Sequence, residues 1–188
     1  MLSLKNSSLY AVLGMLSLRP MSGYDIKKTI EGSVSNFWNE SFGQIYPMLT
    51  KLLAAGLVEE TADAGSRKRE FKITTRGRAA LREWLETPAR FQPSRNETLL
   101  KVFLAAELPP SSLADHLRRF RRHHTDALER YAAIERRLTQ QHANHPGLPY
   151  WLLTLRYGQR ESEAMLTWCD DAERDAKKLE KRKQKTHA

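Results

Sequence analysis

The sequence predicts a mainly α-helical protein: an N-terminal winged helix-turn-helix domain with a two-stranded β-hairpin wing, followed by a C-terminal helical dimerisation domain. Three observations predict this class. Three short stretches with helical apolar spacing fill the first 56 residues. Two short runs typical of β-strands follow, joined by small polar residues. The second half then contains two long stretches whose apolar residues recur in steps of three and four, as in helices that pack along a seam.

Capping and stop residues bound the first three helices. Pro20 ends the first one, because the residue before a proline avoids the helical region. Ser22 is placed to cap the second helix and Ser41 the third. Gly56 is a typical C-terminal stop, and Pro47 lies early in the third helix, where its missing N–H costs least.

The hairpin and a fourth helix complete the first domain. The runs 57–61 and 70–74 are predicted strands, because the second alternates apolar and polar side chains. The small residues at 62–66 between them are typical of a turn. Thr74 or Thr75 then caps the fourth helix, so the predicted order is helix, helix, helix, hairpin, helix.

Composition shifts around Pro88 and Pro93 divide the chain. We predict a DNA-binding domain over 1–88, a linker over 89–96 and a helical dimerisation domain over 97–188. Within the last of these, one helix is expected over about 97–107, a long one from the serines at 111–112, and another long one from about residue 150.

The charge balance favours an anionic partner. The chain has 188 residues with 31 lysines and arginines against 22 acidic residues, a formal net charge of +9. The alternative is a basic surface without a polyanionic ligand. A single cysteine, Cys169, allows no disulfide within one chain, which is typical of a reducing compartment. No stretch is long and apolar enough to span a membrane, and the first apolar run lacks a cleavage site, so we expect a cytoplasmic protein without a membrane partner.

The third helix has the pattern of a groove-reading helix. Its outward residues near the N-terminus, Ser41, Gln44 and Tyr46, carry hydrogen-bonding groups at the end that would enter a major groove. Gln44 is able to form two bonds with adenine, and the other two are able to contact phosphate or base. Lys51 is the only charge between Ser41 and Gly56.

The hairpin would then supply the phosphate contacts. Arg67, Lys68 and Arg69 stand at the start of its return strand, in a segment where Glu70 is the only acidic residue as far as Arg78. Basic residues on a wing beside a groove-docked helix are able to bind phosphates or enter the minor groove. A solvated hairpin tip is the alternative for such a charged run, and the three preceding helices favour DNA.

The same segments resemble PadR-family regulators. The resemblance rests on Pro-Met-Ser-Gly-Tyr-Asp-Ile at 20–26, on Gly-Gln-Ile-Tyr-Pro at 43–47 with Gly-Leu-Val at 56–58, and on Arg-Glu-Phe at 69–71. The segments 99–103 and 153–158 resemble the longer C-terminal domain of the virulence-activator subgroup. The hairpin tip lacks the proline that many relatives carry there.

That resemblance implies a homodimer on a roughly palindromic operator, usually a repressor, with a small-molecule effector at the dimer interface of some relatives. Ser22 and Tyr24, at the start of the second helix, are further candidates for contact with double-stranded DNA. The full candidate set is Ser22, Tyr24, Ser41, Gln44, Tyr46, Lys51, Arg67, Lys68 and Arg69.

The long C-terminal helices are candidates for dimerisation. They must partly pair within one chain, but their large residues call for a partner chain to cover them more fully, and a two-fold dimer would present two reading helices to two half-sites. The predicted dimerisation residues are Leu113, Leu117, Phe120, Tyr131, Trp151, Leu155 and Trp168.

Catalytic, cofactor and metal sites find no support in the sequence. It contains no P-loop, no G-x-S-x-G elbow and no H-E-x-x-H. The adjacent residues His123 and His124 point about 100° apart on a helix and would chelate poorly. His124 falls on the seam, where it could sense pH, although a histidine that is simply hydrogen-bonded in an interface is the simpler interpretation. His142 and His145 flank a turn and would at most hold a metal weakly.

Two other functions compete with DNA binding: a protein–protein adaptor, and a ligand-sensing module that has lost its DNA role. The basic hairpin and the polar first turn of the third helix favour DNA over both. Trp38, Trp151 and Trp168 could line an effector pocket, although core packing is the simpler role. The basic end over 173–188 is interpreted as a solvated helix terminus rather than a DNA-binding tail.

Overall fold

The computed structural model describes residues 7–35, 37–61, 69–89 and 95–186, without the side chains of 110 and 180–186. The chain divides into two compact units, Met1–Phe91 and Gln92–Ala188. This division falls inside the segment predicted as a linker, while the exact domain bounds remain sequence predictions.

The first unit has the predicted order of elements. Its bounds are α1 Ser7–Leu18, α2 Gly23–Ser33, α3 Phe42–Ala54, β1 Val58–Thr61, β2 Glu70–Ile73 and α4 Thr75–Glu86. The two strands form an antiparallel hairpin in which Val58 pairs with Ile73 and Thr61 with Glu70. The mainly helical class and the two-stranded wing are therefore confirmed.

Local capping chemistry sets where α2 and α4 begin and where α3 ends. The Ser22 hydroxyl accepts a hydrogen bond from the Asp25 N–H, and the Asp25 carboxylate accepts one in return from the Ser22 N–H. Thr74, rather than Thr75, caps α4 by accepting from the Gly77 N–H at 3.0 Å. Gly56 has a φ of 66°, which confirms it as the stop after α3 because this conformation favours glycine.

A backbone bridge joins the wing to the start of α2. The Met21 N–H donates to the Phe71 carbonyl at 3.0 Å, and the Phe71 N–H donates back to the Met21 carbonyl at 2.9 Å. Met21 and Phe71 are both buried in one apolar core with residues from α1, α2 and α3. The hairpin is therefore attached to the helical core at its base by hydrogen bonds as well as by packing.

The second unit contains three α-helices among the described residues: α5 Glu97–Phe103, α6 Pro110–Gln141 and α7 Leu148–Thr186. The helix predicted over 97–107 ends early, because its last residues form a separate 3₁₀ turn, Ala105–Glu107. Leu108 is extended, as expected of a residue before proline. Pro110 is the first residue of α6, where its fixed φ suits a helix start.

Helices α6 and α7 pair as an antiparallel hairpin with a buried seam. Tyr131 and Leu155 are buried together along it, and Leu117 of α6 and Cys169 of α7 are buried as well. The Arg121 guanidinium donates to Asp170 at 2.6 Å and to Glu173 at 3.0 Å, which joins the two helices by charge as well as by packing. The described helices include none long and apolar enough to cross a membrane.

Candidate nucleic-acid interface

The N-terminal ends of α2 and α3 meet at an exposed aromatic cluster, which we define as Tyr24, Phe42 and Tyr46. The rings of Tyr24 and Phe42 stack with 6.0 Å between centroids and 15° between planes. The Tyr46 ring lies against the backbone of Gly23, where an added Cβ would come within 2.8 Å of it. The three side chains are 46%, 43% and 52% exposed, so an apolar surface faces outward at this side of the first unit.

A cation lies on the outer side of this cluster. The Lys28 Nζ is 5.0 Å from the centroid of the Tyr24 ring. A hydrogen bond with the Tyr24 side chain raises the pKa of Lys28. The cluster thus carries a positive charge that is available to a phosphate while the rings remain exposed.

Ser41 and Gln44 are bonded to each other at the first turn of α3. The Gln44 Oε1 accepts from the Ser41 N–H and from the Ser41 hydroxyl, both at 3.0 Å. Both lone pairs of that oxygen are therefore used in the free protein, whereas the Gln44 amide nitrogen has donors to offer. A two-bond contact with adenine would have to displace one of these bonds, so the predicted adenine contact competes with the helix cap.

The remaining groove candidates differ in accessibility. Lys51 is exposed on α3. Ser22 is only 4% exposed, and its hydroxyl is engaged in the cap of α2. Its role in the free protein is therefore to position the start of α2, the element that carries Tyr24.

The loop that leads into α3 is held by buried polar contacts. The Trp38 indole N–H donates to Glu40 at 3.0 Å, and Glu40 is buried. Lys27, also buried, donates from Nζ to Asn39 at 3.0 Å and pairs with Glu31 at 3.1 Å. These bonds fix the approach of the chain to α3 and give Trp38 a packing role within the first unit.

The wing carries alternating charges that are already paired. The Arg69 guanidinium donates two hydrogen bonds to the Glu60 carboxylate, at 2.6 and 2.8 Å, and Lys72 pairs with Glu59 at 3.1 Å. The bonds from Arg69 lower the pKa of Glu60. Arg67 and Lys68 lie outside the described residues, so their contact with DNA stays a prediction. A phosphate would have to compete with Glu60 for Arg69.

Sequence reasoning missed Phe42 and Lys28. Spacing gives no sign that Phe42 is exposed, because it lies three and seven residues before the buried Ile45 and Leu49, on the same side of α3. Lys28 does have a local signal, because it follows Tyr24 by four residues in α2 and residues four apart lie on the same face of a helix. The residues of α3 that face inward, by contrast, were predicted from spacing alone.

The predicted dimerisation residues divide into two groups in the single chain. Leu117, Tyr131 and Leu155 are buried within the single chain, whereas Leu113, Phe120, Trp151 and Trp168 are half-buried. Their role between chains stays a prediction. A different set of large apolar side chains is exposed among the described residues of this unit, namely Leu99, Leu100, Phe103, Leu104, Tyr150, Leu153, Tyr157 and Leu179.

His124 and His145 of the second unit pack against aromatic rings, Phe120 and Trp151 respectively. His124 lies half-buried in the seam with Nδ1 at 3.3 Å from the Ser162 hydroxyl. His145 stacks on Trp151 at 4.5 Å, and its Nδ1 accepts from the Gly147 N–H at 2.9 Å. Over the described part of the chain, no group of three or more potential ligands of the His, Cys, Asp or Glu type is placed to hold a metal ion.

A helical core, a polar and aromatic reading end on α3 and a hairpin wing together define a winged-helix, DNA-binding transcriptional regulator. The chain belongs to the PadR family of these proteins: residues 12–83 match the model "Transcriptional regulator PadR-like family". Residues 94–177 match "Virulence activator alpha C-term", the longer C-terminal domain of one subgroup. The two matches lie in the first and second structural units respectively.

Known relatives agree with this assignment. The negative transcriptional regulator PadR of Bacillus subtilis is 32% identical over 113 residues, which span 56% of this chain and 60% of that protein. A PadR-like regulator from Bacillus cereus has the same fold, with a TM-score of 0.76 at 20% identity, over 93% of this chain and 98% of that one. The Vibrio cholerae virulence activator AphA is 26% identical with a TM-score of 0.64, over 91% of this chain and 98% of that one.

Proposed function

We propose that this protein binds operator DNA as a homodimer and represses transcription, with a small molecule as the releasing signal. The observation that carries the DNA part is the exposed end of α2 and α3, where an aromatic cluster, Gln44 and Lys28 share one surface. A surface of this composition suits a major groove, because it combines base-edge donors, apolar rings and a phosphate-binding cation.

The positions of the charged residues separate the part suited to base reading from the part suited to phosphate binding. Lys51 is the only charged residue of α3, so this helix is suited to reading bases rather than to holding phosphates. The cations at the periphery, Lys28, Arg69 and Lys72, are suited to the phosphates. Bacillus subtilis PadR has been solved in complex with operator DNA, and its fold matches this chain with a TM-score of 0.75 at 22% identity, over 88% of this chain and 96% of that one. That likeness supports the fold, and the contacts themselves are our proposal.

Dimerisation is supported by the apolar surface of the second unit. Phe103 is the last residue of the seven-residue helix α5 and is 83% exposed. The nearby residues Leu99, Leu100 and Leu104 are exposed too. Large apolar side chains gathered on one short helix favour contact with another surface, and a second copy of the chain supplies one. Two copies would place two α3 helices on two half-sites.

The sign of regulation and the signal are inferred from relatives. One relative is named a negative regulator and another a virulence activator. We choose repression because the negative regulator has the higher identity over the compared residues. Bacillus subtilis PadR has also been solved with p-coumaric acid, which supports a small-molecule signal in this family.

Fluorescence anisotropy with duplex DNA selected by the purified full-length protein tests the proposal. We expect binding that weakens linearly on a logarithmic salt scale, because each phosphate contact releases counterions. A matched control duplex with scrambled sequence should bind more weakly. Binding that ignores both salt and sequence would contradict the proposal, and a reporter driven by the selected sequence would test the sign.

A further inference from the structure

Phe42 is an apolar side chain that the fold leaves outside its own core. It is the first residue of α3, and it is 43% exposed although Ile45 and Leu49 on the same side of that helix are buried. Its ring is held outward by stacking on Tyr24, whose position is set in turn by the cap of α2. The orientation is therefore built into the fold rather than left to a free rotamer.

The chemistry of the ring restricts what it is able to recognise. A phenyl group neither donates nor accepts an ordinary hydrogen bond. It therefore forms no hydrogen bond with the polar groups of base edges, but it packs favourably against an apolar group. In the major groove the only apolar group among the four base pairs is the C5-methyl of thymine. The first turn of a reading helix is the part that approaches base edges most closely.

We infer that Phe42 is a specificity-determining residue that contacts the methyl group of one thymine in each operator half-site. This inference rests on the proposed function and deepens it, because it assigns a base to a residue. Tyr24 acts as a positioning residue, since it holds the Phe42 ring, and Gln44 reads a neighbouring base through its free amide donors.

The test removes single methyl groups from the DNA. In the duplex selected by the purified full-length protein, each symmetry-related pair of thymines is replaced by deoxyuridine, which deletes only the C5-methyl. At one such pair we expect wild-type affinity to fall about fourfold per half-site, the value for taking one methyl-sized apolar group out of a buried contact. At that same pair, Phe42→Ala should bind the thymine and deoxyuridine duplexes equally.

Matched variants separate recognition from folding. Phe37→Ala removes another ring of similar exposure, 48%, that lies outside α3, and it should keep the full deoxyuridine penalty. Phe42→Leu keeps an apolar contact and should retain part of the penalty. Circular dichroism of each variant checks that its helices are intact.

The possible failures are distinguishable. If no thymine pair shows a penalty that disappears in Phe42→Ala, or if Phe37→Ala abolishes the penalty as well, the role of Phe42 is wrong while DNA binding stands. If the wild-type protein selects no sequence and binds all duplexes alike, the proposed function fails together with this inference.

Discussion

Two glycines of the first unit, Gly77 and Gly14, differ in the space available for a side chain. At Gly77 an added Cβ would lie 2.0 Å from the Leu57 carbonyl oxygen and 2.8 Å from the Ile73 side chain. That carbonyl also accepts from the Thr74 N–H and hydroxyl, so it is held in place by the cap of α4. Only glycine lets α4 approach the strand entry this closely.

We therefore expect Gly77→Ala to lower the free energy of unfolding by about 3 kcal/mol, as for severe overpacking. Urea unfolding measures the change. Gly14→Ala is the matched control, because nothing lies within 4 Å of its added Cβ in the middle of α1. There the substitution should raise the free energy of unfolding by about 0.5 to 1 kcal/mol, the helix preference of alanine over glycine. Equal effects at the two sites would contradict the role of the close contact.

His124 couples the stability of the second unit to pH. Burial in the seam, with a smaller effect of His123, lowers the pKa of His124 from its usual 6.5. The unfolded chain therefore takes up this proton at a higher pH than the folded chain. The free energy of unfolding should fall as the pH drops below about 6.5 and the unfolded state gains the extra proton.

Urea unfolding at about pH 7.5 and about pH 5.5 checks this prediction, since histidine titrates between them. His124→Gln should reduce the loss on acidification, because glutamine does not titrate there. His142→Gln, at an exposed histidine just after α6, should behave like the wild type. If His124→Gln also loses as much stability on acidification as the wild type, the assignment is wrong.

On the scale of elements, the hairpin wing has an internal competitor for DNA phosphate. The ion pair between Glu60 and Arg69 uses two of the guanidinium donors of Arg69. Glu60→Gln should weaken that pair, free Arg69 and tighten DNA binding. The slope of log affinity against log salt should steepen by about one phosphate contact.

Anisotropy titrations over a range of salt concentrations measure that slope. Glu129→Gln makes the same change of charge at an exposed site of α6 and should leave the slope unaltered. A slope that changes equally in both variants would reflect net charge alone, and the specific role of Glu60 would then be lost.

A structural element can be predicted from the sequence when the interactions that set its ends act between residues close together in the chain. Ser22, Thr74 and Gly56 act within a few residues of themselves, so the ends of α2, α4 and α3 could be predicted from the sequence. The sequence also predicts Ser41 as the cap of α3, but the reciprocal bond from Gln44 completes a capping box and engages a residue that the sequence assigns to base reading. The stacking of Phe42 on Tyr24 depends on how two helices pack, which no local pattern encodes.

On the scale of the whole molecule, assembly depends on which apolar residues of the second unit the chain itself covers. The seam residues expected to bind a partner, such as Leu117 and Tyr131, are buried within the second unit itself. Periodicity revealed an apolar face but not what covers it, because intramolecular and intermolecular seams have the same spacing. Exposed apolar residues of α5 and α7, such as Phe103 and Leu153, are left uncovered in the single chain, and we propose that those of α5 meet a second copy.

Leu100→Glu combined with Phe103→Glu should therefore shift the protein from dimer to monomer at micromolar concentration, since two charges would have to be buried in the interface. Analytical ultracentrifugation measures the change. Leu85→Glu replaces a similarly exposed leucine in α4 and should leave the assembly intact. A monomeric wild type, or a dimeric double variant, would contradict dimerisation through α5.

The backbone bridge between Met21 and Phe71 has a mechanical consequence. Met21 directly precedes the cap of α2, so a displacement of the wing at Phe71 pulls on the segment that carries Tyr24 and Lys28. The wing and the reading end should then open as one cooperative unit, and the amides of Met21 and Phe71 should exchange with deuterated solvent at one shared rate. A phosphate bound by the wing would slow both.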